Sequence, residues 1–240
     1  MLTSYETNHG TSEYDTQFET VAHFSLFPDM RPWVGTNYSK EDLKILVIGE
    51  SHYFAEGTEF HHDVEGWYER KYHDDLINRQ GHRVRYQISK LFDGNMGKSH
   101  VMYKRISKSL SETKFVKEKI EKKDPFQRIA YINYFQRPAN STGDSISPKT
   151  KDKEVAYEAI NGVIEILKPS LVIFVSKKSF KSAKSSGLLN SVEGSKYVVA
   201  HPCSAWWGGR KSKEYGKIDG DDYGAISGNQ RFIEIINRYC

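Results

Sequence analysis

Four short stretches of this chain gather the residues able to do chemistry. They are Gly49-Glu50-Ser51-His52-Tyr53-Phe54, Asn133-Tyr134-Phe135-Gln136-Arg137-Pro138, Ser176-Lys177-Lys178 and His201-Pro202-Cys203-Ser204-Ala205-Trp206-Trp207. Glu50, Asn133 and His201 supply a carboxylate to steady positive charge or orient water, a carboxamide that donates and accepts, and an imidazole donor for a developing oxyanion. Ser51 is a candidate nucleophile, yet the Gly-x-Ser-x-Gly pattern of a strained elbow fails at Tyr53. His201 and Cys203, two residues apart with no third group indicated, make a weak thiol dyad, and Cys203 is expected to be a small buried residue. His52, His61, His62, His73 and His82 with Asp63 lack any recognised ligand spacing, so they are expected to be surface loop histidines and no metal is implied. No strand is followed by a glycine-rich phosphate loop.

Each stretch follows a run of apolar residues. Lys44–Ile48, Ile129–Asn133, Leu171–Val175 and Tyr197–Ala200 are apolar at consecutive positions, as parallel strands covered on both faces should be. Between them the 3.6-residue period predicts helices over Tyr86–Leu91, Val101–Leu110, Lys153–Leu167, Ser179–Leu189 and Asn229–Tyr239. Pro169 stops the third of these just before the next strand. The order predicts an α/β fold, a four-stranded parallel sheet wound with right-handed crossovers, in which ligands bind beyond the carboxyl ends of the strands. Residues 1–20 are polar and expected to be loosely held. FPDMRPWVG, with Pro28, Pro32 and Gly35, reads as irregular, and 55–127 as a helical insertion within one domain spanning 1–240.

At 240 residues the chain can build one sizeable core, and no apolar run approaches the roughly 18 residues a membrane span needs. The start of the chain lacks a basic segment leading into an apolar one, so a cytoplasmic location is the expectation. Two cysteines exclude a four-thiolate metal site within one chain. Net charge is only +4, but it is segregated: nine Lys/Arg against three Glu over 98–123, and five Lys with no acid over 168–184. Such blocks suit a polyanion such as nucleic acid.

Gly-Glu after the first strand, Asn at the end of the second and His-Pro after the fourth together resemble the uracil-DNA glycosylase superfamily. Its first motif is Gly-Gln-Asp-Pro-Tyr or Gly-Glu-x-Pro-Gly and its last His-Pro-Ser or His-Pro-Ala. The likeness covers the organisation of residues 43–207 and a handful of motif residues. It implies a three-layer sandwich, no cofactor, DNA as partner without a membrane or an obligatory protein partner, and hydrolysis of a base–sugar bond after base flipping. It implies that His201 donates to the base oxygen, Asn133 reads the base edge, and Glu50 positions water or steadies the sugar cation. Tyr53 would lie beside carbon 5 of the base, with Phe54 or Phe135 stacking on its face. Trp206, Trp207 and Arg210 would prop the helix open, and Lys177 and Lys178 would meet phosphates. Here Ser51 stands where one subgroup has its catalytic Asp, and His52 replaces the Pro. With the large insertion, this suggests uracil or a modified pyrimidine as target, including the modified bases of viral DNA. The alternatives are a non-catalytic nucleic-acid-binding module of the same fold and, more remotely, a serine esterase using Ser51; esterases opening Gly-Asp-Ser pair a late Asp with a His, a partner that Asp219, Asp221 and Asp222 lack.

Overall fold

The buried apolar runs set the sheet. A computed structural model describes residues 9–76, 79–94, 101–119, 124–140 and 143–240. Its main sheet has five strands, β1 (Trp33–Val34), β2 (Ile45–Gly49), β3 (Ala130–Asn133), β4 (Leu171–Phe174) and β5 (Ser195–Val198), and Lys217–Ile218 pairs with Asp221–Asp222 in a separate two-stranded ribbon. The order in the main sheet is β1-β3-β2-β4-β5, and every pairing within it is parallel except that of β1 with β3.

Side chains alternate across the sheet, and each face has its own core. Leu46, Ile48, Ala130, Ile132, Val172 and Phe174 pack with Ala156, Ala159, Ile160 and Val163 of the Thr150–Leu167 helix. Ile45, Val47, Tyr131, Leu171 and Ile173 pack on the other side. Their partners are Val84 and Ile88 of the Val84–Phe92 helix, Ile106 and Leu110 of the Val101–Ser111 helix, and Phe232, Ile235 and Ile236 of the Gly228–Asn237 helix. The protein is therefore α/β, a mostly parallel sheet flanked by helices. No helix among the described residues is long and apolar enough to cross a membrane.

Three expectations need correction. The sheet has a fifth, antiparallel edge strand where an irregular segment was read; Trp33–Val34 is too short for periodicity to register, and the Trp33 indole N–H fixes it by donating to the Phe126 carbonyl at 2.8 Å. The last parallel strand begins two residues early, at Ser195, although Val199 N–H still donates to the Phe174 carbonyl at 2.9 Å. Residues 9–20 are not loose: Gly10 bridges Gly35, Phe18 is fully buried in the core, and Asp15 takes two bonds from Arg85. The rest of that expectation, 1–8, lies outside the described residues, as do the ends of the basic block at 98–100 and 120–123. The insertion is helical in short pieces, among them Phe60–His62, Val64–Tyr68 and Lys114–Lys117 as well as the two longer helices already named.

Candidate functional site

Strand order reverses between β2 and β4, and the carboxyl edge at such a reversal is the place where open α/β sheets bind ligands. The chain past β2 and β3 stays paired beyond the strands, with Phe135 N–H donating to the Glu50 carbonyl and Ala139 N–H to the His52 carbonyl, both at 2.9 Å. That pairing fixes Glu50 at the carboxyl edge of the sheet, beside the reversal. Its carboxylate is 8% exposed and accepts from two hydroxyls: Ser176, just past β4, at 2.6 Å, and Ser145. Among the described residues no Lys or Arg lies within ion-pairing distance of Glu50, which leaves its charge unneutralised. Ser176 also caps the Lys177–Ser185 helix, accepting from Ser179 N–H, while Ser179 Oγ donates to the Gly49 carbonyl at 2.9 Å.

His201 is half-buried past the end of β5. Burial lowers its pKa, with the nearby Glu50 charge pulling the other way, so the ring is neutral at pH 7. Cys203 N–H donates to His201 Nδ1 at 3.2 Å. A neutral imidazole with Nδ1 accepting carries its proton on Nε2, so the ring offers an Nε2–H donor that no described residue claims. Tyr53 completes this neighbourhood; burial, then the Glu50 charge and Cys203, push its hydroxyl up to about 12.

Asn133 sits deeper, 2% exposed. Its Oδ1 accepts from Tyr131 OH at 2.9 Å, and its Nδ2 faces His52 Nδ1 at 3.3 Å. A carboxamide has two N–H groups and two lone pairs, so one of each is left over. A β-carbon at Gly49 would overlap both the Tyr131 hydroxyl and Asn133 Oδ1, which explains glycine there.

The remaining sequence-derived candidates divide. Phe54 is buried in a cluster with Phe27 and Trp67, and Phe135 is fully buried edge-on against Tyr134; neither face is open to a ligand. The two tryptophans separate on one helical turn, Ala205–Gly208: Trp206 is 40% exposed under the Arg210 guanidinium at 5.6 Å, whereas Trp207 is buried against Phe232. One wedge projects, not two. Lys177 lies over the Tyr215 ring at 5.0 Å, and Lys178 donates to the Ile146 carbonyl. Ser51 is 3% exposed and its hydroxyl finds no hydrogen-bond partner among the described residues, so no base is placed to activate it. Cys203 is exposed, contrary to expectation, and its thiol is raised by desolvation against a smaller opposing pull from Arg105.

The histidines also depart from expectation. His52, His61 and His82 are buried, joined by His23, and only His62 and His73 of the predicted group are exposed. Among the described residues no three of His, Cys, Asp or Glu converge as a metal site requires.

Two cavities stand out. One, of about 440 Å³, lies between the Val101–Ser111 helix and the Ala205–Gly208 turn; the other, of about 370 Å³, is lined by Phe54–Glu59, His61, His62, Ala139 and Asn140. Neither is lined by Glu50, Asn133 or His201. Sequence reasoning missed Ser145 and Arg105, whose guanidinium donates to the Pro202 carbonyl at 2.6 Å and clips the His-Pro turn from the insertion, and it named Ser176 without giving it a role. Ser176 was within reach, since a serine between a strand and a helix is a capping signal; Ser145 and Arg105 carry no local signature. A scan of protein-family models finds none that matches the chain, and no curated protein matches it.

Proposed function

We propose that this protein is a DNA N-glycosylase of the uracil-DNA glycosylase kind, a three-layer sandwich acting in the cytoplasm on uracil or a modified pyrimidine, those of viral DNA included. One observation carries the reading: past the carboxyl ends of β2 and β5, the strands on either side of β4, a buried carboxylate without a counter-cation among the described residues lies within electrostatic reach of a neutral imidazole with an uncommitted N–H. Cleaving a base–sugar bond needs that pair. The bond breaks with its electrons leaving on the base, positive charge builds on the sugar, and a water oxygen bonds to the anomeric carbon while its proton passes to the Glu50 carboxylate and then, through solvent, to the departed base anion, which ends as the neutral base. Glu50 faces the sugar cation and orients the water. His201 Nε2–H donates to the base oxygen as charge collects there, an interaction of about 2.7–4 kcal/mol for oxyanion donors in general.

Tyr53 forms the wall beside the ring, and Asn133 offers its remaining N–H and lone pair to the base edge. Trp206 is the side chain that enters the stack, where unstacking costs a few kcal/mol. Ser145 must release Glu50 before a flipped base can seat.

The second reading, a nucleic-acid-binding module without chemistry, is favoured by that same Ser145 contact and by Ser51 and His52 in the first motif. Incubation with oligonucleotides carrying uracil and a panel of modified pyrimidines, read by mass spectrometry for free base and by alkaline cleavage at abasic sites, separates the two. Base release that Glu50→Gln and His201→Ala both abolish supports the glycosylase. DNA binding with no release from any substrate leaves the module.

A further inference from the structure

The cavity of about 440 Å³ is not part of the base site, and its chemistry is different. Arg105, Lys108, Ser109 and Glu112 line one wall, spaced so that they share one face of the Val101–Ser111 helix and its end. Cys203, Ser204, Ala205, Trp207, Gly208 and Gly209 form the other wall, which is the turn that carries His201 and Trp206. The volume falls within the range of about 300–1,000 Å³ common for ligand clefts. Arg105 spends one of its five N–H donors on the Pro202 carbonyl and makes no ion pair among the described residues; Lys108 is exposed and has no partner there either. The floor is apolar, from Trp207, and the glycines expose backbone without side chains to obstruct close approach.

We propose that this groove holds the phosphodiester backbone of the DNA strand running past the flipped nucleotide, with Arg105 and Lys108 on its phosphates. The proposal rests on the glycosylase reading for the identity of the ligand, but the groove is argued from its own charges. Two unpaired cations face a strip of accessible backbone immediately beside the exposed Trp206. A guanidinium is suited to phosphate because its planar fork matches two oxygens at once. Glu112, the one carboxylate lining the groove, opposes a polyanion and so marks the end at which the phosphate path leaves. The grip comes from the insertion, and it couples strand binding to the His201 turn through the Arg105–Pro202 bond.

The test is DNA affinity by fluorescence anisotropy across a salt series, using a duplex with a central abasic site. Lys108→Ala should weaken binding to all sequences alike and lower the log–log salt slope by about 0.9, the loss of one phosphate contact. Glu112→Gln should tighten binding. Lys153→Ala, an exposed lysine on the helix across the sheet, should leave both unchanged. If the wild type binds and releases base while Lys108→Ala and Glu112→Gln match it in affinity and slope, the groove assignment is overturned and the glycosylase reading stands. If the wild type binds no DNA, both fall. An RNA of the same sequence that binds more tightly than the duplex overturns the assignment to DNA.

Discussion

Asp152 and Glu50 are carboxylates buried at the same end of the sheet, 0% and 8% exposed. Asp152 takes a bidentate clasp from Arg137, both bonds at 2.8 Å, and accepts as well from Tyr68 OH and Lys149 N–H. It also lies in the first turn of the Thr150–Leu167 helix, where the macrodipole favours negative charge. Glu50 has two serine hydroxyls and no cation among the described residues. The first carboxylate is neutralised and serves as a rivet between the loop after β3, the insertion and the helix. The second lies buried without a cation among the described residues, in a low-dielectric setting where a carboxylate is worth most to a cation forming nearby. The difference separates a carboxylate that holds the fold from one available to a substrate.

The sharpest way to break this contrast is to remove each charge. Asp152→Asn should leave Arg137 buried and unpaired and destabilise the protein by about 3–5 kcal/mol in urea denaturation. Arg137→Met combined with Asp152→Leu should recover only the part of that loss that comes from the unpaired guanidinium, since Tyr68 OH and Lys149 N–H still lose their acceptor. Glu50→Gln should leave the urea midpoint unchanged or higher, yet slow base release by roughly 10²–10³. An equal loss of stability in both single variants would mean that Glu50 is structural too.

A smaller effect sharpens the electrostatic side. Burial holds His23 and His52 at about 3, whereas the unfolded chain binds their protons near 6.5. The unfolded state therefore takes up more protons between those values, and stability falls as pH drops below about 6.5, by about 1.4 kcal/mol per pH unit for each ring at most. Urea midpoints from pH 7 to pH 4 check this, and His52→Asn should flatten the decline. Base release should fall off at a lower pH than an exposed imidazole would dictate, because burial lowers the His201 pKa. The smallest change is expected at Trp206→Ala: its exposure predicts a stability shift within about 0.5 kcal/mol, with the loss appearing in DNA affinity or base release instead.

The parallel strands were legible because a strand buried on both faces must be apolar at every position, and Ile45–Ile48 and Leu171–Phe174 are. Helix periodicity was equally plain over Thr150–Leu167. Side-chain direction was harder to read. Trp206 and Trp207 are neighbours on a helical turn and point about 100° apart, so one lies in the core and the other in solvent; composition has no way to choose. Phe54 and Phe135 follow strands as a stacking residue would, but packing claimed them. Buried histidines look like surface histidines in a sequence, since imidazole is polar; what took them inside is long-range, the aromatic rings of Phe27, Phe54 and Trp67 around His23 and His82 and the partners Asp29 for His82, the Ala139 carbonyl for His61 and Asn133 for His52. Long-range partners such as Ser145 for Glu50 depend on a loop path that local pattern does not encode.

The bond from Arg105 to the Pro202 carbonyl bears on how far this protein can be pared down. An engineer reducing it to a minimal scaffold would first delete the stretch between β2 and β3, as the part without sheet. Doing so would strip the Val84–Phe92 and Val101–Ser111 helices from one face of the sheet and, with Arg105, take away the brace on the turn that presents His201, so the shortened scaffold would lose a core face together with the aim of its imidazole.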